Sequence, residues 1–276
     1  MKQLSRTKNE TKPLKQMSKN SAETQWKLWI YTNYDCHLRC SYCVAESSPE
    51  VERRAIGIET VQQLVDEAIE LGFCEIFFTG GEPFILDDIY EMLEYSAQHV
   101  HTTVLTTGML LKRRRLERLK GISNGNLRLQ VSLDGGRAEH HDAYRGAGTW
   151  KQTVESIKRL QENNFRVRIS TTETPANTDH LHEICELHLS LGIREEDHFI
   201  RPLARRGFSS QGIEVSIATI TPEITVNREG VFWHPLSTDE DMRISKTIFP
   251  LSCAVKCVQE QLAIIAEGGT PRITFT

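Results

Sequence analysis

No stretch of the 276-residue sequence approaches the ~18 to 20 consecutive apolar residues that a membrane-spanning helix needs, and no secretory signal pattern opens it. A cytoplasmic location and no membrane partner are therefore expected. An excess of positive charge is missing too: the formal net charge of −4 gives nucleic acid no bulk electrostatic attraction, so no nucleic-acid partner is expected. The seven cysteines are an odd number, which does not close a disulfide framework, and in a reducing cytosol their thiols are free to bind metal. What the chain does have is length and 39% hydrophobic content, enough to bury the core of one barrel-sized α/β domain or of a domain with an appendage.

The first 25 residues stand apart. They carry Lys2, Arg6, Lys8, Lys12, Lys15 and Lys19 with almost nothing to bury and no amphipathic period, the composition of a disordered basic tail. From Trp26 onward, strand-like and helix-like segments alternate. LWIYTN (28–33), CEIFFTG (74–80), HTTVLTTG (101–108), NLRLQVSLDGG (126–136), FRVRISTTE (165–173) and DHFIRPL (197–203) read as strands. Between them, helical periodicity places Ile58, Val61, Leu64, Val65, Ala68 and Ile69 on one face, and further helices are expected over 87–99, 111–121, 149–164 and 178–192. Six β-α repeats demand parallel pairing with right-handed crossovers, which predicts an α/β fold: a partial (β/α)6 TIM-like barrel.

In such a fold chemistry gathers at the carboxyl ends of the strands. That rule selects CHLRCSYC (36–43), TGGEPF (79–84), TTG (106–108), SLDGG (132–136) and RPLARRG (201–207). The spacing of Cys36, Cys40 and Cys43 is C-x3-C-x2-C with no fourth cysteine close behind, unlike the paired C-x2-C of zinc sites. Three thiolates leave one metal position open, and an open iron invites a ligand. Gly80 and Gly81 remove side chains where the backbone must approach something closely, and Glu82-Pro83 fixes the direction of the loop.

CHLRCSYC after the first strand, with an aromatic before its last cysteine, followed by GGEP after the second, resembles the radical S-adenosylmethionine (radical SAM) superfamily over roughly residues 26 to 205. The resemblance implies a [4Fe-4S] cluster held by Cys36, Cys40 and Cys43, with SAM on the open iron. Reduction of the cluster then cleaves SAM to methionine and a 5′-deoxyadenosyl radical that abstracts hydrogen from a substrate. It further implies SAM contacts from Tyr42 and from the Gly80, Gly81, Glu82, Pro83 loop, with Thr106, Ser132 and Asp134 suited by their strand-end positions. An electron donor of the flavodoxin or ferredoxin type is the implied protein partner. The chain departs from the family at Thr107-Gly108, where many relatives have Asn-Gly.

Residues 208–276 are expected to form a small α+β extension. PEITVNREGVFWHPLSTDEDMRIS (222–245) reads as a hairpin turning at Asn227–Gly230 and resembles the opening hairpin of SPASM or twitch domains, in which peptide and protein maturases hold auxiliary clusters. A cysteine commonly follows that hairpin; here Trp233-His234-Pro235 stands in its place. Farther on, Cys253 and Cys257 are spaced i, i+4 on an expected helix. Either these three residues make an unusual second metal site, or the extension is degenerate, with Phe232 and Trp233 shaping a substrate pocket over the barrel mouth. Cys74 and Cys185 are expected to be buried, and EHHDAYRG (139–146) to be a hydrogen-bonding loop near the mouth. Arg201, Arg205 and Arg206 are candidates to pair with the SAM carboxylate or an acidic substrate group.

Peptide or protein maturation is the expected function, with a peptide substrate. Modification of a small metabolite or cofactor precursor is the alternative, and a non-catalytic metal-binding barrel is the alternative class, which leaves GGEP without a role. No residue is singled out as catalytic partner of the substrate radical.

Overall fold

The computed structural model describes residues 26–122, 125–217 and 220–269; the basic segment 1–25 lies outside them. Six parallel strands, β1 (Lys27–Asn33), β2 (Glu75–Gly80), β3 (His101–Thr106), β4 (Leu127–Ser132), β5 (Val167–Glu173) and β6 (His198–Pro202), follow one another in order across one sheet. The crossovers carry helices α1 (Ile58–Glu70), α2 (Ile89–His99), α3 (Arg114–Lys120), α4 (Ala138–Arg145), α5 (Thr149–Glu162) and α6 (Leu181–Ser190). This is the partial barrel that the β-α alternation requires.

Most of the helices bury one apolar stripe against the outer face of the sheet. In α1 that stripe is Val61, Leu64, Val65 and Ala68, at i, i+3, i+4 and i+7, whereas Ile69, expected on the same face, is 41% exposed. Strand residues alternate: Leu28, Ile30, Ile76, Phe78, Val104, Leu129, Val131 and Ile169 join the helices in the core. Their neighbours Trp29, Tyr31, Phe77, Thr79, Leu105 and Gln130 face inward and line a cavity. Burial from both sides is why these strands read as nearly continuous apolar runs.

The extension continues the same sheet. Strand β7 (Ile224–Asn227) pairs in parallel with β1, through Leu28↔Ile224 and Ile30↔Val226, and β8 (Gly230–Phe232) and β9 (Arg243–Ser245) follow in antiparallel order. The final helix α7 (Leu251–Ala266) lies against α1, burying Leu251, Ala254, Val255 and Val258, and the Leu251 N–H donates to Glu67 Oε2 at 2.6 Å.

Three expectations are corrected. Residues 138–145 form a helix rather than a loop. Cys185 is exposed on α6 and Cys74 only half-buried. Phe232 and Trp233 face the hydrophobic core, because β8 is an inner strand of the sheet, and it is His234, Pro235 and Leu236 that reach the cavity.

Candidate active site

The three loop cysteines surround a cavity of about 220 Å³ at the carboxyl ends of the strands. Cys36 is buried, Cys40 and Cys43 half-buried, and all three thiols are free. The backbone wraps them: the Leu38 N–H points at Cys36 Sγ (3.4 Å) and the Ser47 N–H at Cys43 Sγ (3.5 Å). Burial pushes the Cys36 thiol up to about 12 and raises Cys40 as well. Thiolates in so dry a place need a cationic partner, which a bound iron supplies. Among the described residues, only His140, His180 and Glu183 bring three ligand atoms within 4.8 Å of one another. The cysteine sulfurs are spread more widely, as suits one thiolate per iron of a cluster and not convergence on a single zinc. The donor set therefore fits a cluster.

The glycine turn earns its composition from the cysteine loop. A Cβ on Gly80, at φ +117°, would lie 2.3 Å from Asn33 O, and one on Gly81 2.1 Å from Asp35 O. The close approach that the two glycines permit is thus to the backbone just before Cys36; both also line the cavity. Gly207 does the same from the far side and was not singled out in the sequence: its Cβ would lie 2.2 Å from Cys43 O, at φ +58°. The following Phe208 N–H donates to that carbonyl at 3.1 Å. A glycine after two arginines carried no signal of this contact.

Of the other SAM-contact candidates, Tyr42, Thr106 and Ser132 line the cavity. Glu82, Pro83 and Asp134 stand behind its wall. The fully buried Glu82 carboxylate accepts from Thr106 Oγ1 (2.7 Å), Thr107 N (2.8 Å), Thr107 Oγ1 (2.9 Å) and Phe84 N (3.2 Å). It ties the end of β2 to the end of β3, and Thr107, the departure from Asn-Gly, supplies two of the donors. Pro83 opens the short turn Pro83–Ile85.

Asp134 organises the opposite wall. Its carboxylate accepts from the Tyr42 hydroxyl, from Arg145 Nε (2.6 Å) and from Thr172 N (2.8 Å), while its own N–H donates to His141 Nδ1 (3.1 Å). Burial pushes the Asp134 carboxyl up, but the Arg145 guanidinium, His141 and the Tyr42 hydroxyl together outweigh it and the net shift is downward. Arg145, held in this way, lines the cavity near Cys40. The histidine-rich stretch thus contributes an aligned cation from a helix end.

Among the described residues, neither thiol of the extension lines a cavity of the barrel. His234 lines the cavity inside the barrel, whereas Cys253 and Cys257 lie on α7, which packs against α1. Cys253 is exposed and Cys257 half-buried on α7, while His234 is buried with its Nδ1 accepting the Leu236 N–H at 3.2 Å. Contiguous with the cysteine cavity lies a larger one of about 630 Å³ inside the barrel, walled by Trp29 stacked on Phe77 (4.1 Å, 15°), and by Val44, Leu105, Ile213 and Leu236.

The family model of the radical SAM superfamily matches residues 30–188. An AdoMet-dependent heme synthase of Methanosarcina barkeri is 31% identical over 159 residues, 57% of this chain and 45% of that protein. The antilisterial bacteriocin subtilosin biosynthesis protein AlbA of Bacillus subtilis is 31% identical over 161 residues, 58% of this chain and 36% of that protein. The chain spans less than half the length of these curated relatives. Among solved structures, anSMEcpe with bound AdoMet superposes with TM-score 0.64 at 15% identity, covering 83% of this chain and 80% of that one. Streptococcus suis SuiB bound to the precursor peptide SuiA gives 0.59 at 18%, covering 68% and 43%. These likenesses show a shared fold. The family match covers more than half of the chain and includes all three loop cysteines, so the protein belongs to the radical SAM superfamily, whose cofactors are a [4Fe-4S] cluster and S-adenosylmethionine.

Proposed function

We propose that the protein uses this chemistry to modify a peptide or protein, with Cys36, Cys40 and Cys43 holding the cluster. The chemistry that such a bound pair supplies is one-electron cleavage of SAM to methionine and a 5′-deoxyadenosyl radical, which takes hydrogen from an unactivated C–H bond. Tyr42, Gly80, Gly81, Thr106 and Ser132 are the cavity-lining residues that would contact SAM. Glu82, Pro83 and Asp134 would act through them, holding the loops and aiming Arg145. The observation that carries the reading is the pair of joined cavities, one lined by the three thiols and the other of about 630 Å³ with mainly apolar walls. That larger volume lies in the range of ligand sites, and its walls keep water from a reactive intermediate. The peptide assignment is supported by relatives named for peptide products: AlbA, and the mycofactocin maturase MftC of Mycolicibacterium smegmatis.

The heme synthases among the relatives favour a second reading, a cofactor precursor as substrate. An electron donor of the flavodoxin or ferredoxin type is part of either. The test is anaerobic reconstitution with iron and sulfide, reduction, and measurement of 5′-deoxyadenosine from SAM, followed by mass spectrometry of candidate precursor peptides. Absence of deoxyadenosine from a fully iron-loaded protein would overturn the proposal.

A further inference from the structure

Five charged residues stand on the wall of the larger cavity: Lys27, Arg168, Arg201, Glu75 and Glu223. Four of them are matched. Lys27 Nζ pairs with Glu223 Oε1 at 3.2 Å, and the Trp29 indole N–H donates to the other Glu223 oxygen. Glu75 Oε1 accepts from Arg168 (3.2 Å), Arg128 (3.5 Å) and the Thr103 hydroxyl (2.6 Å). Arg201, near the end of β6, has no carboxylate or hydrogen-bond partner among the described residues; its guanidinium lies over the Trp29 ring, 6.0 Å from the centroid. Glu223, the nearby acid, already has both oxygens engaged.

A second donor comes from the extension. His234 lines the same cavity, and because its Nδ1 accepts the Leu236 N–H, its proton sits on Nε2, which has no partner among the described residues. Burial, and then the nearby Arg201, push this imidazole down to about 4, so it is a neutral donor near pH 7. One fixed cation and one neutral N–H, set among Trp29, Phe77, Ile213 and Leu236, match a monoanion with an apolar stem. A phosphate dianion would call for more positive charge than this wall offers.

We propose that Arg201 and the Nε2–H of His234 form a carboxylate-binding site that seats an acidic group of the substrate inside the barrel. The inference rests on the peptide reading above for its choice of ligand, and the carboxylate belongs either to an acidic side chain or to a peptide C-terminus. The competing occupant is the carboxylate of SAM itself, since Arg201 also borders the cysteine cavity. Arg145, already aimed there by Asp134, makes that occupant unnecessary.

The test uses the reconstituted full chain with SAM bound, titrated calorimetrically with acetyl-Ala-Glu-Ala-amide, its Gln counterpart, acetyl-Ala-Ala-Ala with a free carboxylate, and glutarate. A carboxylate peptide should bind about tenfold or more tightly than the neutral one, and whichever does so identifies the source of the group. Arg201→Gln should erase the difference and Arg201→Lys should keep part of it, with the iron content and the Kd for SAM unchanged. Equal affinities, no binding of any probe, or a weakened SAM Kd in Arg201→Gln would each overturn the site. Glutarate separates the two layers of inference. If glutarate alone binds, and loses affinity in Arg201→Gln, the carboxylate site stands and the peptide reading falls. Deoxyadenosine release by the same preparations reports on the radical chemistry independently of either.

Discussion

The chain holds two groups of neighbouring cysteines, and their surroundings differ. Cys36, Cys40 and Cys43 lie on a loop that curls round a cavity, with backbone N–H groups directed at two of the sulfurs and glycines at 80, 81 and 207 letting other strands close on it. Cys253 and Cys257 lie on a helix whose buried face is Leu251, Ala254, Val255 and Val258, so one thiol is exposed and the other half-buried. Spacing alone makes both groups look ligand-like. What separates them is whether the backbone encircles a space.

The sharpest way to break that contrast is at the loop. Cys40→Ala should remove most of the iron and abolish deoxyadenosine formation, measured by iron analysis and chromatography; full iron in the variant would mean that the loop is not the cluster site. Gly81→Val should follow closely. Its side chain collides with Asp35 O, beside Cys36, so iron loading should fall together with SAM affinity. Retained iron with intact SAM binding would show that the turn yields without moving the cysteines. Glu82→Ala should be milder, leaving the Thr107 N–H and two threonine hydroxyls without their acceptor at a cost of roughly 2 to 4 kcal/mol, read as a lower unfolding midpoint.

A pH series sharpens the comparison by separating cluster loss from unfolding. Burial, and then the neighbouring His198, push His188 down to about 3, while the unfolded chain carries this group near 6.5. Between those values the unfolded state binds the extra proton. The stabilisation is therefore complete above about pH 6.5 and is lost as pH falls toward about 3. His188→Leu should flatten this acid slope in circular-dichroism melts; an unchanged slope would place the sensitivity elsewhere. The smallest effect is expected in the tail. Replacing Cys253 and Cys257 together with Ser should leave about four irons per chain and an unchanged spectrum, whereas a fall from about eight to about four would reveal an auxiliary cluster.

The repeating layout of the barrel was legible because its signals are local: the period-2 and period-3.6 patterns marked all six strands and most helices to within a few residues. Helix α4 was missed because EHHDAYR is almost wholly polar; it buries only His141, and its register is set by Asp134 rather than by an apolar stripe. At the site, the cysteines and glycines announced themselves by spacing. Asp134 stood out by its strand-end position and Arg145 by its nearness to the mouth, but the ion pair between them, and the contact of Gly207 with Cys43, did not, since these contacts join segments that no local pattern links. Phe232 and Trp233 were misplaced for a related reason. A hairpin read by itself has two free faces, and only its pairing with β1 decides which one is core.

That pairing has a consequence for assembly. Strand β1, which leads directly into the cysteine loop, is flanked by β2 on one side and by β7 on the other, nearly two hundred residues downstream. During synthesis the loop can meet Gly80 and Gly81 early, while β1 still presents a bare edge. That edge is covered only after Ile224 has emerged and the intervening chain has closed its long circuit. The same late event brings His234 to the cavity wall, so one late-docking segment both seals the sheet beside the cysteines and completes the pocket beneath them.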